Sequence, residues 1–194
     1  MNAEERTITP WTLVSSETLA DCRIFSVERR RMRREGAAAG EPSDFFVLRT
    51  GDWVNVVALT PEDELVLVTQ WRHAAGRVTL EIPGGMVDAG ETPREAAERE
   101  LLEETGYAAR EWRPLGVIDP NPAILANRCH TFLALGAHRV ATPHFDTTEE
   151  CGLVLRPWRE APSLVTSGAI THALVVVALH FEHLRRKTGP EDLL

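Results

Sequence analysis

The chain has 194 residues, with 29 Asp and Glu against 21 Lys and Arg, a net charge of −8. Hydrophobic residues make up 43% and charged residues 26%, which excludes a wholly disordered chain and predicts one domain or a domain with a modest extension. The acidic balance argues against a broad electrostatic grip on nucleic acid.

The start, Met1-Asn2-Ala3-Glu4-Glu5-Arg6, is polar and acidic, unlike a secretory signal. Trp11 to Leu19 and Arg23 to Arg34 read as two strands. The second ends in the basic run Arg29-Arg30-Arg31-Met32-Arg33-Arg34, expected to be a solvated strand face. A small-residue loop, Gly36 to Ser43, separates this section from the body.

Strands are expected over Phe45 to Leu48, Trp53 to Leu59 and Glu64 to Trp71. The last two flank the turn Thr60-Pro61-Glu62-Asp63. Their near-continuous apolar content predicts a sheet covered on both faces. A further strand, Val78 to Ile82, ends at Pro83-Gly84-Gly85. A helix follows over Pro93 to Thr105, with Pro93 in its first turn and Gly106 as C-cap. Leu115 to Ile118, Cys129 to Leu135 and Gly152 to Leu155 read as strands, and Trp158 to Ser167 and Thr171 to Arg186 as helices. Strands in the middle with helices around them predict an α+β or α/β sandwich.

The apolar run Ala173 to Leu179 is too short to span a bilayer. Cys22, Cys129 and Cys151 are far apart and odd in number. Reduced, mostly buried thiols and a cytoplasmic protein are the expectation. His180 and His183 lie one helical turn apart but have no third ligand, so a surface helix explains them.

The chemistry concentrates between Gly84 and Gly106. Glu100, Glu103 and Glu104 stand at i, i+3 and i+4 and share one helix face, with Ala97 and Leu101 on a buried side. Arg99 has Glu103 and Glu95 within helical reach, whereas Glu100 and Glu104 lack a good local partner. Carboxylates fixed behind a glycine loop suit Mg²⁺ or Mn²⁺, and such ions bind substrate phosphates. Metal-assisted hydrolysis of a phosphate ester or pyrophosphate follows.

Gly85-x5-Glu91-x7-Arg99-Glu100-Leu101-x-Glu103-Glu104-x-Gly106-Tyr107 resembles the complete Nudix box, with an aromatic at Tyr107 where an aliphatic residue is usual. Gln70-Trp71-Arg72-His73 and Leu80-Glu81-Ile82-Pro83-Gly84-Gly85 resemble the ADP-ribose pyrophosphatase branch of that family. The resemblance covers about Phe25 to Ala178. It implies a Nudix α/β/α sandwich with a mixed central sheet plus an N-terminal antiparallel β extension. Residues 1–50 would form that extension and support a homodimer, 51–188 the hydrolase domain, and 189–194 a tail.

By the same resemblance, Glu100, Glu103, Glu104 and the Gly84 carbonyl would bind Mg²⁺, with Mn²⁺ as substitute. Glu91 and Arg99 would brace the loop. Arg72, Arg99 and Pro122 would meet the substrate. Glu149 and Glu150 are both candidates for the base, and Glu103 joins them as a catalytic group through the metal. The substrate would be ADP-ribose or a related nucleoside diphosphate sugar. The branch commonly has Pro-Gly where this chain has Pro122-Ala123, which leaves the sugar and base open. Two alternatives are a nucleotide-sugar sensor without turnover, and a hydrolase of nucleoside triphosphates or dinucleoside polyphosphates.

Overall fold

The computed structural model describes residues 8–36, 42–144 and 150–188. The chain divides into two compact units, Met1–Gly51 with Asn121–Asn127, and Asp52–Pro120 with Arg128–Leu194.

In the first unit β1 (Trp11–Asp21), β2 (Ser26–Arg34) and β3 (Ser43–Arg49) form an antiparallel sheet in the order β1-β2-β3. The second strand starts at Ser26 rather than Arg23, because Arg23 turns the chain at φ 69°. The arginines of β2 are not simply solvated. Arg29 pairs with Glu17 of β1, Arg31 with Asp44 of β3 at 3.3 Å, and Arg30 and Arg49 both with Glu28 at 3.1 Å. The Arg29–Glu17, Arg31–Asp44 and Arg49–Glu28 pairs cross between strands and hold the three in register, whereas Arg30–Glu28 lies within β2. The segment Asn121–Asn127 joins this unit through hydrogen bonds from Leu48 N–H to the Ile124 carbonyl and from Ala126 N–H to the Leu48 carbonyl, at 2.7 and 3.1 Å.

The second unit contains β4 (Trp53–Leu59), β5 (Glu64–Arg72), β6 (Arg77–Glu81), β7 (Gly84–Met86), α1 (Pro93–Thr105), β8 (Tyr107–Ala108), β9 (Glu111–Ile118), β10 (Cys129–Leu135), β11 (His138–Arg139), β12 (Cys151–Pro157), α2 (Ala161–Thr166) and α3 (Ala173–Thr188). The main sheet runs β12-β5-β4-β10-β9, with β6 beside β5 and β7 beside β4. β10 is parallel to β4 and the other pairings are antiparallel, so the sheet is mixed.

Both faces of this sheet are covered, as its apolar strands predict. Val54, Val56, Ala58 and Val66 pack with Ala96, Ala97 and Leu101 of α1. The alternate residues Val57, Leu59, Leu65 and Leu67 pack with Val175, Ala178 and Leu179 of α3. Period-two alternation within β4 therefore feeds two cores, one under each helix. The unit is an α/β/α sandwich.

Three expectations change. The stretch from Trp158 is a 3₁₀ turn, Trp158–Glu160, followed by the short α2, and Gly168 at φ 77° ends it. β7, β8 and β11 are two or three residues long, too short to show a period in sequence. Only Cys129 is buried, whereas Cys22 is exposed and Cys151 half-buried, and none is in a disulfide. No helix among the described residues is long and apolar enough to cross a membrane.

Candidate active site

Helix α1 is fixed at both ends. Thr92 closes a capping box with Glu95: its hydroxyl accepts the Glu95 N–H at 3.3 Å, and Glu95 accepts the Thr92 N–H at 2.8 Å. At the other end Gly106, at φ 72°, donates its N–H to the Leu102 carbonyl at 2.8 Å. Ala96, Ala97 and Leu101 anchor the inner side.

The loop before the helix is held by β7, where Val54 pairs with Gly85 and Asn55 with Gly84. A side chain at Gly84 would overlap the Val54 carbonyl oxygen, and one at Gly85 the Glu100 carboxylate. Gly84 has no room for a Cβ because its backbone lies against that of β4, whereas at Gly85 the obstacle is the end of the Glu100 side chain from α1.

The carboxylates sit at different depths. Glu104 is 8% exposed; its Oε2 accepts the Gly84 N–H at 3.0 Å, and the Cys151 Sγ lies 3.9 Å from its Oε1. Glu100 Oε1 accepts from Arg99 Nη1 at 2.8 Å, and the exposed Glu103 accepts from the same nitrogen at 3.2 Å. Glu100 therefore has a partner that spacing did not suggest. Arg99 Nε and Nη2 also clasp Glu91, both at 3.0 Å, and Nη2 reaches the Met86 carbonyl at 3.0 Å.

These contacts use all five N–H groups of Arg99. Arg99 braces the loop against the helix, and the substrate contact expected of it has no donor left. Glu95 is not its partner either, being committed to the Thr92 cap. Arg99 is held well above its ordinary value by the Glu91 hydrogen bond, against some burial. The same hydrogen bond holds Glu91 below the usual carboxylate range.

Arg72, at the end of β5, meets Glu81 with two nitrogens: Nε to Oε1 at 2.9 Å and Nη2 to Oε2 at 2.7 Å. Glu81 is 2% exposed, and its Oε1 also accepts from the Thr79 hydroxyl at 2.7 Å. His172 Nδ1 lies 3.5 Å from Oε2. Burial pushes the Glu81 carboxyl up, but Arg72 and Thr79 outweigh it and hold it below the ordinary range. Neither Glu81 nor His172 was singled out in sequence. The available signal was an acid ending the otherwise apolar strand Val78 to Ile82.

Glu150 is exposed, directly before β12, and its neighbour Cys151 is the residue that approaches Glu104. Glu149 lies outside the described residues, as do 189–194. Pro122 is exposed and belongs to the first unit. Arg128 is used through its backbone, donating its N–H to Asp52 at 2.9 Å, while Asp52 also pairs with His130 at 3.0 Å. Trp71 is exposed and Trp53 half-buried. His180 and His183 stack at 6.4 Å between ring centroids.

Glu81 and Glu91 both have lowered folded-state values, so their ionised forms stabilise the fold. That contribution is complete above pH about 4.5, the ordinary glutamate value, and is lost as pH falls through the folded values. Urea midpoints measured between about pH 3 and 6 are expected to fall with acid, and Glu91→Gln should flatten the slope. An unchanged slope in that variant would show that the Arg99–Glu91 pair carries none of it.

A mixed sheet between helical layers, with a glycine loop against a carboxylate-bearing helix, defines an α/β/α protein with acidic side chains gathered beside the short strand β7. The NUDIX domain profile matches residues 50–171. The chain is 32% identical over 173 residues to the ADP-ribose pyrophosphatase of Mycobacterium tuberculosis, covering 88% of this chain and 82% of that protein. It is 29% identical over 147 residues to the methanol dehydrogenase activator of Bacillus methanolicus, covering 75% and 80%. A solved structure described as an ADP compounds hydrolase superposes with a TM-score of 0.81 at 22% identity, over 95% of this chain and 98% of that one. The chain belongs to the NUDIX family and is a Nudix hydrolase. Nudix hydrolases generally use divalent cations and act on small nucleotide substrates.

Proposed function

We propose that this protein hydrolyses the pyrophosphate bond of ADP-ribose or a related nucleoside diphosphate sugar, with Mg²⁺ as the working ion and Mn²⁺ as a substitute. The observation that carries the reading is the contact between Glu104 and the Gly84 backbone, which joins the acidic helix to the glycine loop. The 32% identity to an ADP-ribose pyrophosphatase supports the substrate class.

The donor set fits such an ion. Among the described residues no three acidic, His or Cys side chains enclose a metal by themselves. Mg²⁺ does not require that, since it is commonly held by one or two carboxylates together with waters and substrate phosphates. Glu100, Glu103, Glu104 and the Gly84 carbonyl are the groups that would hold it. When bound, it would neutralise the diphosphate and lower the pKa of an attacking water.

The chain's own residues do the rest. Arg99 and Glu91 keep the loop and helix in register. Arg72 binds the diphosphate; two residues before it Gln70 pairs with Cys151, whose Sγ lies 3.9 Å from Glu104, which supports a place for Arg72 beside the acidic helix. Glu150 or Glu149 takes the proton of the attacking water. The water oxygen bonds to one phosphorus as the bridging P–O bond breaks, so ADP-ribose gives AMP and ribose 5-phosphate. Residues 1–50 and Pro122 are read as parts of a homodimer and its substrate site. Cysteines outside any disulfide support a cytoplasmic setting.

The test is release of monophosphate from ADP-ribose, GDP-mannose, UDP-glucose, diadenosine polyphosphates and nucleoside triphosphates, with Mg²⁺ or Mn²⁺, in ¹⁸O-labelled water. Turnover of a diphosphate sugar is expected, with label in one of the two phosphate products. Unlabelled phosphates would overturn cleavage inside the diphosphate. Binding without turnover across the panel would replace the enzyme reading with a sensor.

A further inference from the structure

Glu81 presents an unusual arrangement. An ionised side chain that is 2% exposed lies against an arginine whose side chain is 44% exposed. Burying a carboxylate is costly, and an ion pair returns little net stability compared with an apolar pair of the same volume. The geometry of the guanidinium suggests another use.

An arginine offers two parallel forks, one from Nε and Nη2 and one from Nη1 and Nη2. Glu81 occupies the first, at 2.9 and 2.7 Å. Among the described residues Nη1 makes no hydrogen bond, so the terminal fork keeps its donors. Glu81 itself is over-determined. Thr79 donates to Oε1 at 2.7 Å, whereas the buried His172 Nδ1, immediately before α3, stands 3.5 Å from Oε2 with no hydrogen bond among the described residues. The loop that carries His172 is tied to β6, where Arg77 donates to the Thr171 hydroxyl at 2.9 Å. Arg72 is thus rigid at its inner edge and open at its outer one.

We propose that Glu81 is the positioning residue that aims the terminal fork of Arg72 at the substrate diphosphate, with Thr79 steadying Glu81. This rests on the phosphate-binding role proposed above for Arg72. An unanchored arginine at a strand end would lose rotamer freedom on meeting the phosphate; here that freedom is already gone. Glu81 also cancels the charge of Arg72. The pair therefore contributes direction more than attraction, and cations on the acidic helix would supply the attraction. Lysine at 72 offers no fork and cannot meet Glu81 and a phosphate at once.

The test is a double-mutant cycle of wild type, Glu81→Gln, Arg72→Ala and the double variant. The readouts are kcat/KM for ADP-ribose with Mg²⁺, and affinity for inorganic pyrophosphate with and without Mg²⁺ by calorimetry. Melting temperature is followed in each protein. Glu81→Gln is expected to lose about tenfold in kcat/KM and to weaken pyrophosphate binding, and to add less than about twofold in the Arg72→Ala background. Losses that multiply in the double variant would show a structural role only and overturn the proposal, as would a fully active Glu81→Gln. Should Glu81→Gln not fold, Thr79→Val, which removes the hydrogen bond to Oε1, carries the same cycle, with a loss of about threefold expected to vanish without Arg72. Arg72→Ala at wild-type affinity and rate would overturn the phosphate role of Arg72 and this proposal with it. A wild type that turns over no diphosphate sugar would overturn the enzyme reading alone, and the pyrophosphate cycle would still decide this one.

Discussion

Glu104→Gln is expected to lower kcat by about 10³-fold, equivalent to about 4 kcal/mol of transition-state stabilisation, with little change in melting temperature. The glutamine is nearly isosteric. Its carbonyl oxygen can still accept the Gly84 N–H that Oε2 now accepts at 3.0 Å, so the loop should stay against α1. What is lost is a negative oxygen at a site read as the seat of a divalent cation. Rate under saturating Mg²⁺, with circular dichroism as the check on fold, measures it. A variant within about tenfold of wild type would remove Glu104 from the ligand set and shift the assignment towards Glu100 and Glu103. Glu103 is the more exposed, and its carboxylate shares Arg99 Nη1 with Glu100.

Glu182→Ala is expected to cost about 3 kcal/mol, lowering the melting temperature by about 6–12 °C. Glu182 is 0% exposed and accepts from Arg185 Nε and Nη2 at 2.6 and 2.8 Å and from Arg186 Nε at 2.7 Å. Arg186 in turn grips Asp63 in the turn between β4 and β5, at 3.0 and 2.5 Å, and lies 4.7 Å over the Trp158 ring. Trp158 closes the circuit by donating its N–H to the Asp63 carbonyl at 2.9 Å. Removing the carboxylate leaves two cations facing one cavity. Because both arginines keep partial access to water, the loss should stay below that of a fully enclosed charge. Glu182→Gln should cost about 1–2 kcal/mol, since the hydrogen bonds survive in weaker form. Thermal unfolding tests both, with kcat at low temperature expected to be unchanged. A shift under about 2 °C for the alanine variant would mean that this network does not hold α3 to the sheet.

The legible parts of the fold share a physical origin: they repeat within a short window. The alternation in β4 and the capped pattern from Thr92 to Gly106 are local, and the structure has them at Trp53–Leu59 and Pro93–Thr105. The glycine loop is legible for a related reason, since a backbone that lies against strand β4 at Gly84 admits no Cβ. What escaped was decided by partners far along the chain. Helical spacing offers Arg99 both Glu103 and Glu95; the Glu103 contact forms, but a capping hydrogen bond claims Glu95, and the folded loop brings Glu91 and Met86. The basic run in β2 read as solvated because Glu17 and Asp44 come from neighbouring strands.

Sequence alone determined the family's acidic helix, its glycine loop and the sheet covered on two faces, because spacing along one element sets which side chains share a surface. Tertiary structure alone decided who pairs with whom. It spent every donor of Arg99 on bracing, buried Glu81 beneath Arg72, and set Glu182 under two arginines. Each outcome depends on which charged groups lose access to water together, and that is a property of the packed chain.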